Sequence, residues 1–345
     1  MWQVHLHETP DQGELHLINS CVSQISKVFG GSTVGPLGGG FPIGWETNTL
    51  VSDMTTVICL DDYHANDRQG RKKTGLTALH VKEQNFDLMY EQIKALKEGK
   101  SIQKPIYNHV NGTLDAPETV EPTPIVIIEG LHPMVDERVR TLLDFTIYLD
   151  ISDEIKFAWK IQRDMAERGW TLEQVQASIE QRKPDFAAYV APQMEFSDVV
   201  LSVLPSEISK EKVGTHLKVK MIQRTGMDAF KPAYLVDPDA DVKVVPRHVK
   251  HDPSVGVALA SYMDKYYGRD VVVSEMDGKL ADIHDFRIIE KFLKDTSVRT
   301  PDEVSAELIK VGPNSPGSLD GTGLFQTITA LKLRDYYETV AGKKV

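Results

Sequence analysis

The sequence predicts an α/β fold: a mixed sheet flanked by helices, followed by a β-rich C-terminal portion. Three observations predict it. First, two short apolar runs, residues 55–60 and 125–128, stop abruptly at carboxylates: Asp61 and Asp62 after one, Glu129 after the other. Buried strands of an open α/β sheet look like this, and such sheets bind ligands beyond the carboxyl ends of their strands. Second, long helical patterns of apolar residues lie between the strand-like runs. Third, the pattern changes beyond about residue 198, where short strand-like runs take over.

The elements follow in order. Residues 1–20 are mixed and polar with three histidines, and predict no strand. Val22, Ile25 and Phe29 have helical spacing, and Gly30-Gly31 stops that helix. A Gly/Pro-rich loop covers residues 35–42. It is not a phosphate loop, because no lysine follows its glycines. Residues 85–100 form an amphipathic helix with Phe86, Met89, Ile93 and Leu96 on one side and Gly99 at its end. Residues 104–109 are extended, and the Pro- and acid-containing stretch 113–124 reads as a surface loop. Residues 145–149 make another strand. Ser152 or Asp153 caps the next helix, which runs to about Arg168 with Gly169 as its stop. A further helix covers 171–183. Strands are predicted at 199–203, 217–222, 234–236 and 271–274, a hairpin turn at Asp277-Gly278, helix at 288–293, and a closing helix over 323–340.

Charge and composition exclude several functions. The net charge of −11 argues against broad binding to nucleic acid or an anionic membrane. No apolar run has the length of a membrane span. The first eight residues match neither a signal peptide nor a transit peptide. Two cysteines, Cys21 and Cys59, suit a reducing compartment and leave room for a regulatory pair.

The chemistry-bearing residues cluster at strand ends and on one helix. Asp61, His64 and Arg68 follow the first apolar run, where position alone is better explained by a polar strand cap than by a site. Glu129 after residues 125–128 resembles the carboxylate of a Walker B element. On the helix ending near Arg168, the residues Lys160, Arg163, Asp164, Glu167 and Arg168 share a face of roughly 140°. Three basic residues around one carboxylate suit phosphate oxygens and a metal, although a solvated face has the same pattern.

Together these segments resemble phosphoribulokinase of the plant and cyanobacterial type, a member of the P-loop superfamily that includes uridine kinase. The resemblance covers about residues 29–340 and is carried by ICLDDYH, FDLMYEQIKALKEGK, KPIYNH, IIEGLHP, LDFTIYLDIS, KFAWKIQRDMAERG, RKPDF, SEMDG and GTGLFQTI, in that order. It implies a P-loop nucleoside-kinase-like sheet and a single domain over 1–345. Residues 22–197 would be its kinase core, 198–345 its C-terminal extension, and 1–21 atypical. The implied reaction moves the γ-phosphoryl of ATP to O1 of ribulose 5-phosphate, giving ribulose 1,5-bisphosphate. Asp61 is implied as the base that deprotonates the sugar hydroxyl. Lys160 and Arg163 are implied for the transferring phosphoryl, and Glu129 and Asp164 for Mg²⁺. His64, Arg68, Tyr107, His109, Arg168 and Arg182 are implied for the acceptor. A homodimer in the chloroplast stroma or, outside eukaryotes, the cytoplasm is implied as well. So are contacts with the Calvin-cycle redox linker protein and glyceraldehyde-3-phosphate dehydrogenase.

The chain departs from the family in two ways. The family opens with a strand and a Walker A loop containing Gly-Lys-Ser-Thr; here the helix end Phe29-Gly30-Gly31 is kept, and the strand and loop before it are expected to be missing. Losing that loop removes the N–H nest, the phosphate lysine and the Mg²⁺ hydroxyl, so poor ATP binding and slow turnover are expected. A first exon missed from the sequence is the explanation preferred. The family's regulatory disulfide joins a P-loop cysteine to the one matching Cys59, and Cys21 does not match that partner. The family's late cysteine pair is absent too. Two other readings stand beside a phosphoribulokinase: a uridine-kinase-like phosphotransferase, and a non-catalytic homologue that dimerises or docks.

Overall fold

The computed structural model describes residues 2–7, 21–22, 24–25, 28–29, 54–108, 111–169, 171–238, 240, 242–244, 256–311 and 317–342. The chain forms two compact units. The first comprises residues 1–10, 30–148 and 164–197, the second residues 11–29, 149–163 and 198–345. No helix among the described residues is long and apolar enough to cross a membrane.

The strands of the first unit are β1 (Trp2–His7), β2 (Thr55–Cys59), β3 (Ile102–Asn108), β4 (Thr113–Val120), β5 (Ile125–Gly130) and β6 (Phe145–Ile151), the last of which runs into the second unit. Four of them pair in parallel in the order β2-β5-β1-β6. Ile125 to Ile128 are buried on both faces, as are Thr55 to Ile58. That is why both segments read as unbroken apolar or β-branched runs rather than alternating ones. The helix Phe86–Lys97 lays Met89, Ile93 and Leu96 on Ile58, Val126 and Ile128. The Asn85 side chain accepts the Leu88 N–H at its start, and Gly99, at φ +77, ends it. The only Gly-Lys-Ser tripeptide in the chain, Gly99-Lys100-Ser101, therefore closes a helix instead of opening one.

Two sequence expectations are corrected in this unit. Residues 1–20 were expected to hold no strand, and the first strand of the family to be missing. Trp2–His7 is a strand, paired in parallel with β5 on one side and β6 on the other. The expectation weighed the number of apolar residues, whereas Trp2, Val4 and Leu6 alternate with polar residues at the period of a strand. The stretch 113–124 was expected to be a loop. Thr113–Val120 pairs with β3 as an antiparallel hairpin; its one proline, Pro117, and its acids Asp115 and Glu118 fall on an edge strand that is largely exposed. The Gly/Pro-rich stretch 35–42 lies outside the described residues.

In the second unit β7 (Val199–Pro205), β8 (Leu217–Arg224), β9 (Val242–Val244), β10 (Gly256–Tyr266) and β11 (Arg269–Lys279) pair antiparallel in the order β7-β8-β11-β10-β9. The closing helix, Gly321–Ala341, packs on β7, β8 and β11. Glycine at 321 permits this, since a Cβ there would stand 2.8 Å from the Cβ of Val219. Cys21, Val22, Gln24, Ile25 and Val28 are helical and buried, and the Phe29 ring meets Tyr337 edge-on at 5.6 Å.

Three expectations change in this unit. Asp277-Gly278 lies inside β11, and the turn is Tyr267-Gly268, at φ +48 and +76. Asp277 is drawn away from turn duty because its carboxylate accepts Ser206 Oγ at 2.6 Å and the Glu207 N–H at 2.9 Å. Residues 234–236 make only an isolated bridge, Tyr234 to Lys294, since the N–H groups of Leu235 and Val236 donate to Ser261 Oγ. The helix expected at 288–293 is Phe286–Glu290.

One glycine governs the site end of the first unit. Gly130 sits at φ +144, and a Cβ there would stand 2.7 Å from Leu60 Cβ. Gly130→Ala is therefore strained in its backbone and clashes with the residue preceding Asp61. Chemical denaturation should show a loss of about 2–4 kcal/mol, against less than about 1 kcal/mol for Gly99→Ala, where the positive-φ position opens to solvent and only backbone strain is added.

Candidate active site

The site is built where parallel strands end together. Cys59, the last residue of β2, pairs with Glu129, while Leu6 and His7 of β1 pair with Glu129 and Gly130. The chain then tightens into a 3₁₀ turn, Leu60–Tyr63, because Gly130 lets Leu60 approach. Asp61 and Glu129 thus emerge at one edge of the sheet, the position at which doubly wound folds bind ligands.

Beyond the turn stands a cationic and aromatic wall. The rings of His64 and Tyr107 lie 5.0 Å apart at 31°, and both residues are buried. Arg71 donates through Nη2 to the Tyr107 hydroxyl, stacks 4.9 Å from its ring, and donates through Nη1 to Asn66 O at 2.9 Å. The short helix Arg68–Thr74 carries both arginines. Asp67 caps it by accepting the Gly70 N–H, and Gly75 closes it at φ +70. The Arg68 N–H donates to Gly112 O at 2.8 Å, and a Cβ on Gly112 would stand 2.6 Å from Arg68 Nε. Glycine at the tip of the β3–β4 hairpin is thus what lets Arg68 lie across it. Buried Glu83 holds the same loop, accepting Asn66 Nδ2 at 3.0 Å and Thr74 Oγ1 at 2.7 Å. Sequence reading missed Arg71; its spacing of three from Arg68 on a capped helix was the available signal.

His132 completes the wall. Its Nε2 donates to Leu79 O at 2.7 Å, and the ring is 2 % exposed. Burial pushes its pKa down to about 4, so the ring is neutral near pH 7. Asp61, His64 and Asp185 all lie close enough to act on it electrostatically. Asp185 in turn accepts Thr77 Oγ1 at 2.6 Å. Arg182 is half-buried on the helix Leu172–Asp185, which opens with a capping box at Thr171 and Gln174.

The other expected site residues are placed less fully. Lys160, Arg163, Asp164 and Arg168 lie on the helix Asp153–Arg168, and their side chains fall outside what the structure describes. His109 also lies outside the described residues. No disulfide joins Cys21 and Cys59; Cys59 is half-buried, and burial pushes the Cys21 thiol up to about 12.

Carboxylates at the ends of parallel strands, beside a wall of arginines, histidine and tyrosine, define an α/β enzyme that handles phosphate esters. The comparisons with known proteins agree. The model of the phosphoribulokinase / uridine kinase family matches residues 19–209. The chain is 51% identical over 323 residues to the chloroplastic phosphoribulokinase of Mesembryanthemum crystallinum, covering 93% of this chain and 80% of that one. It is 47% identical over 298 residues to the phosphoribulokinase of Synechocystis sp., covering 86% and 90%. The uridine kinase of Borrelia duttonii is 38% identical over 117 residues, which is 33% of this chain and 57% of that one. The fold is similar to that of the phosphoribulokinase from Rhodobacter spheroides, with a TM-score of 0.50 at 16% identity, over 79% of this chain and 89% of that one. The chain belongs to the phosphoribulokinase / uridine kinase family, and within it to the phosphoribulokinases of plants and cyanobacteria.

The neutral His132 has a pH consequence. Its folded pKa lies below the ordinary histidine value, so the unfolded chain binds the extra proton first. The stability this contributes is complete above about pH 6.5 and is lost as pH falls toward about 4. His132→Gln keeps a donor for Leu79 and removes the titration. Denaturation from pH 7 to 4.5 should show wild type losing roughly 2 kcal/mol more than the variant.

Proposed function

We propose that the protein is a phosphoribulokinase, transferring the γ-phosphoryl of ATP to O1 of ribulose 5-phosphate. The observation that carries this reading is the cationic–aromatic wall beside Asp61, in a chain that matches plant phosphoribulokinases over nearly all its length. Ribulose 5-phosphate brings a dianion and several hydroxyls. Arg68, Arg71, His64 and Tyr107 offer charge and hydrogen bonds for them, and Arg gives planar, two-pronged recognition of a phosphate. Asp61 stands at the strand end as the base that orients the sugar O1 and takes its proton. His109, Arg168 and Arg182 belong to the acceptor side, Lys160 and Arg163 to the transferring phosphoryl.

The divalent ion is Mg²⁺. An ion that arrives on ATP takes one or two protein carboxylates and completes its shell with phosphate and water. Glu129 suits that demand, presenting a carboxylate at the strand end. Glu129 and Asp164 would hold it. When bound, it neutralises charge on the β- and γ-phosphate oxygens. The protein acts as a homodimer in the chloroplast stroma, or in the cytoplasm of a cyanobacterium. With Cys59 as its one family-like cysteine, control through the Calvin-cycle redox linker protein and glyceraldehyde-3-phosphate dehydrogenase does not follow the usual disulfide.

One sequence fact favours a second reading. The chain contains no Gly-x₄-Gly-Lys-Ser/Thr segment, so a non-catalytic homologue that keeps the acceptor site is the alternative. Both readings are tested by nucleotide binding and turnover. The wild-type chain should bind Mg·ATP with a Kd weaker than about 1 mM, consistent with a missing phosphate loop. Grafting a Gly-Lys-Ser-Thr loop after His7 should restore micromolar binding and ribulose 5-phosphate-dependent release of ADP. No turnover from a grafted chain that binds Mg·ATP tightly supports the non-catalytic reading. In the grafted chain Asp61→Asn should lower kcat by roughly 10²–10⁴ while KM for ribulose 5-phosphate stays within about threefold. Near-normal kcat in that variant would show that Asp61 is not the base.

A further inference from the structure

The second carboxylate of the pair, Asp62, is committed elsewhere. It is 3 % exposed, and its Oδ1 accepts the Tyr107 N–H at 2.8 Å. Its Oδ2 pairs with the ammonium of Lys104, which is wholly buried. Lys104 Nζ also lies 3.3 Å from Glu118 Oε1 and donates to Pro105 O at 3.1 Å. The three donors of the ammonium are all engaged, which is the condition under which a buried charge is tolerated.

This ion pair sits on an irregular strand. In an unbroken strand residues 104 and 107, three apart, face opposite sides. The β3–β4 register shifts between Lys104 and Ile106, with Pro105 at the shift, where a missing N–H breaks no ladder bond. Burial follows the shift: Ile102 and Lys104 are buried, Pro105 and Ile106 half-buried, and Tyr107 buried again. The shift leaves Pro105 opposite two residues of β4, Ala116 and Pro117, and Tyr107 just beyond it is buried against His64 and Arg71.

We propose that the Asp62–Lys104 pair is a positioning device for the acceptor site. It clamps β3, at Lys104 and Tyr107, to the turn carrying Asp61, so that Tyr107 stacks on His64 and receives Arg71, and it thereby sets the affinity for the sugar phosphate. The proposal rests on the functional reading that this wall takes ribulose 5-phosphate. Asp62 and Lys104 act through Tyr107 and are positioning residues. Burial raises the Asp62 carboxyl above its usual value, with Lys104 and the Tyr107 N–H opposing, so removing Lys104 removes one of the groups that hold it down.

The test uses calorimetric titration of ribulose 5-phosphate into the full chain, together with the ring resonances of Tyr107 in protein labelled at tyrosine and assigned with Tyr107→Phe. Lys104→Met should weaken ribulose 5-phosphate binding at least about tenfold and shift the Tyr107 resonances. In the Tyr107→Phe background the same change should cost less than about twofold, because Lys104 acts through Tyr107. Lys104→Met combined with Asp62→Asn removes both charges, keeps an acceptor for the Tyr107 N–H, and should regain most of the affinity. Equal losses in both backgrounds, with unmoved Tyr107 resonances, would reduce the pair to a fold anchor and overturn the proposal. If Lys104→Met does not fold, Asp62→Asn carries the same comparison. A wild-type chain that binds no ribulose 5-phosphate sinks the functional reading, and the Tyr107 resonances then decide the positioning role by themselves.

Discussion

The site depends on one close approach. Gly130, at the end of β5, has no side chain to hold Leu60 away, so β2 can turn sharply at Leu60 and deliver Asp61 to the edge where Glu129 also ends. The parallel ladder fixes the rest: with Cys59 opposite Glu129 and Leu6 on its other side, three strand ends share one register. Parallel strands buried on both faces cannot slip without exposing an apolar face, so the register of the carboxylates is tied to the stability of the core. The placement of Asp61 and Glu129 is a by-product of packing that the fold needs anyway.

Around that edge, charges are sorted by burial. Asp62 is committed to Lys104 and a backbone N–H, and His132 is held neutral. Adjacent acidic residues in a sequence look alike; the structure separates them by what each carboxylate touches. The same logic explains Glu83, a fully buried carboxylate whose partners are the loop side chains Asn66 and Thr74.

Much of this was legible in the sequence where side-chain periodicity and burial coincide. The apolar runs before Asp61 and Glu129, and the helix Phe86–Lys97, follow directly from their patterns. What escaped notice depends on long-range partners. Trp2–His7 is half polar, and only its neighbours β5 and β6 make it a strand. Asp277-Gly278 has hairpin chemistry, but Ser206 and the Glu207 N–H hold Asp277 within β11. His132 and the Asp62–Lys104 pair lie within the matched motifs and Arg71 between two of them, yet their contacts appear only once β3, the 3₁₀ turn and the loop before Leu79 are brought together. Family resemblance singled out Asp61, His64, Arg68 and Tyr107 and gave no account of what holds Tyr107; the structure shows its N–H donated to Asp62 Oδ1.

The central claim is that this edge recognises a ketopentose phosphate as its phosphoryl acceptor. Competitive calorimetry on the wild-type chain, with ribulose 5-phosphate, inorganic phosphate and uridine titrated in turn, tests it without need of turnover. The account predicts saturable binding of ribulose 5-phosphate, at least about tenfold tighter than inorganic phosphate, and no binding of uridine. Saturable uridine binding with none for ribulose 5-phosphate would contradict it.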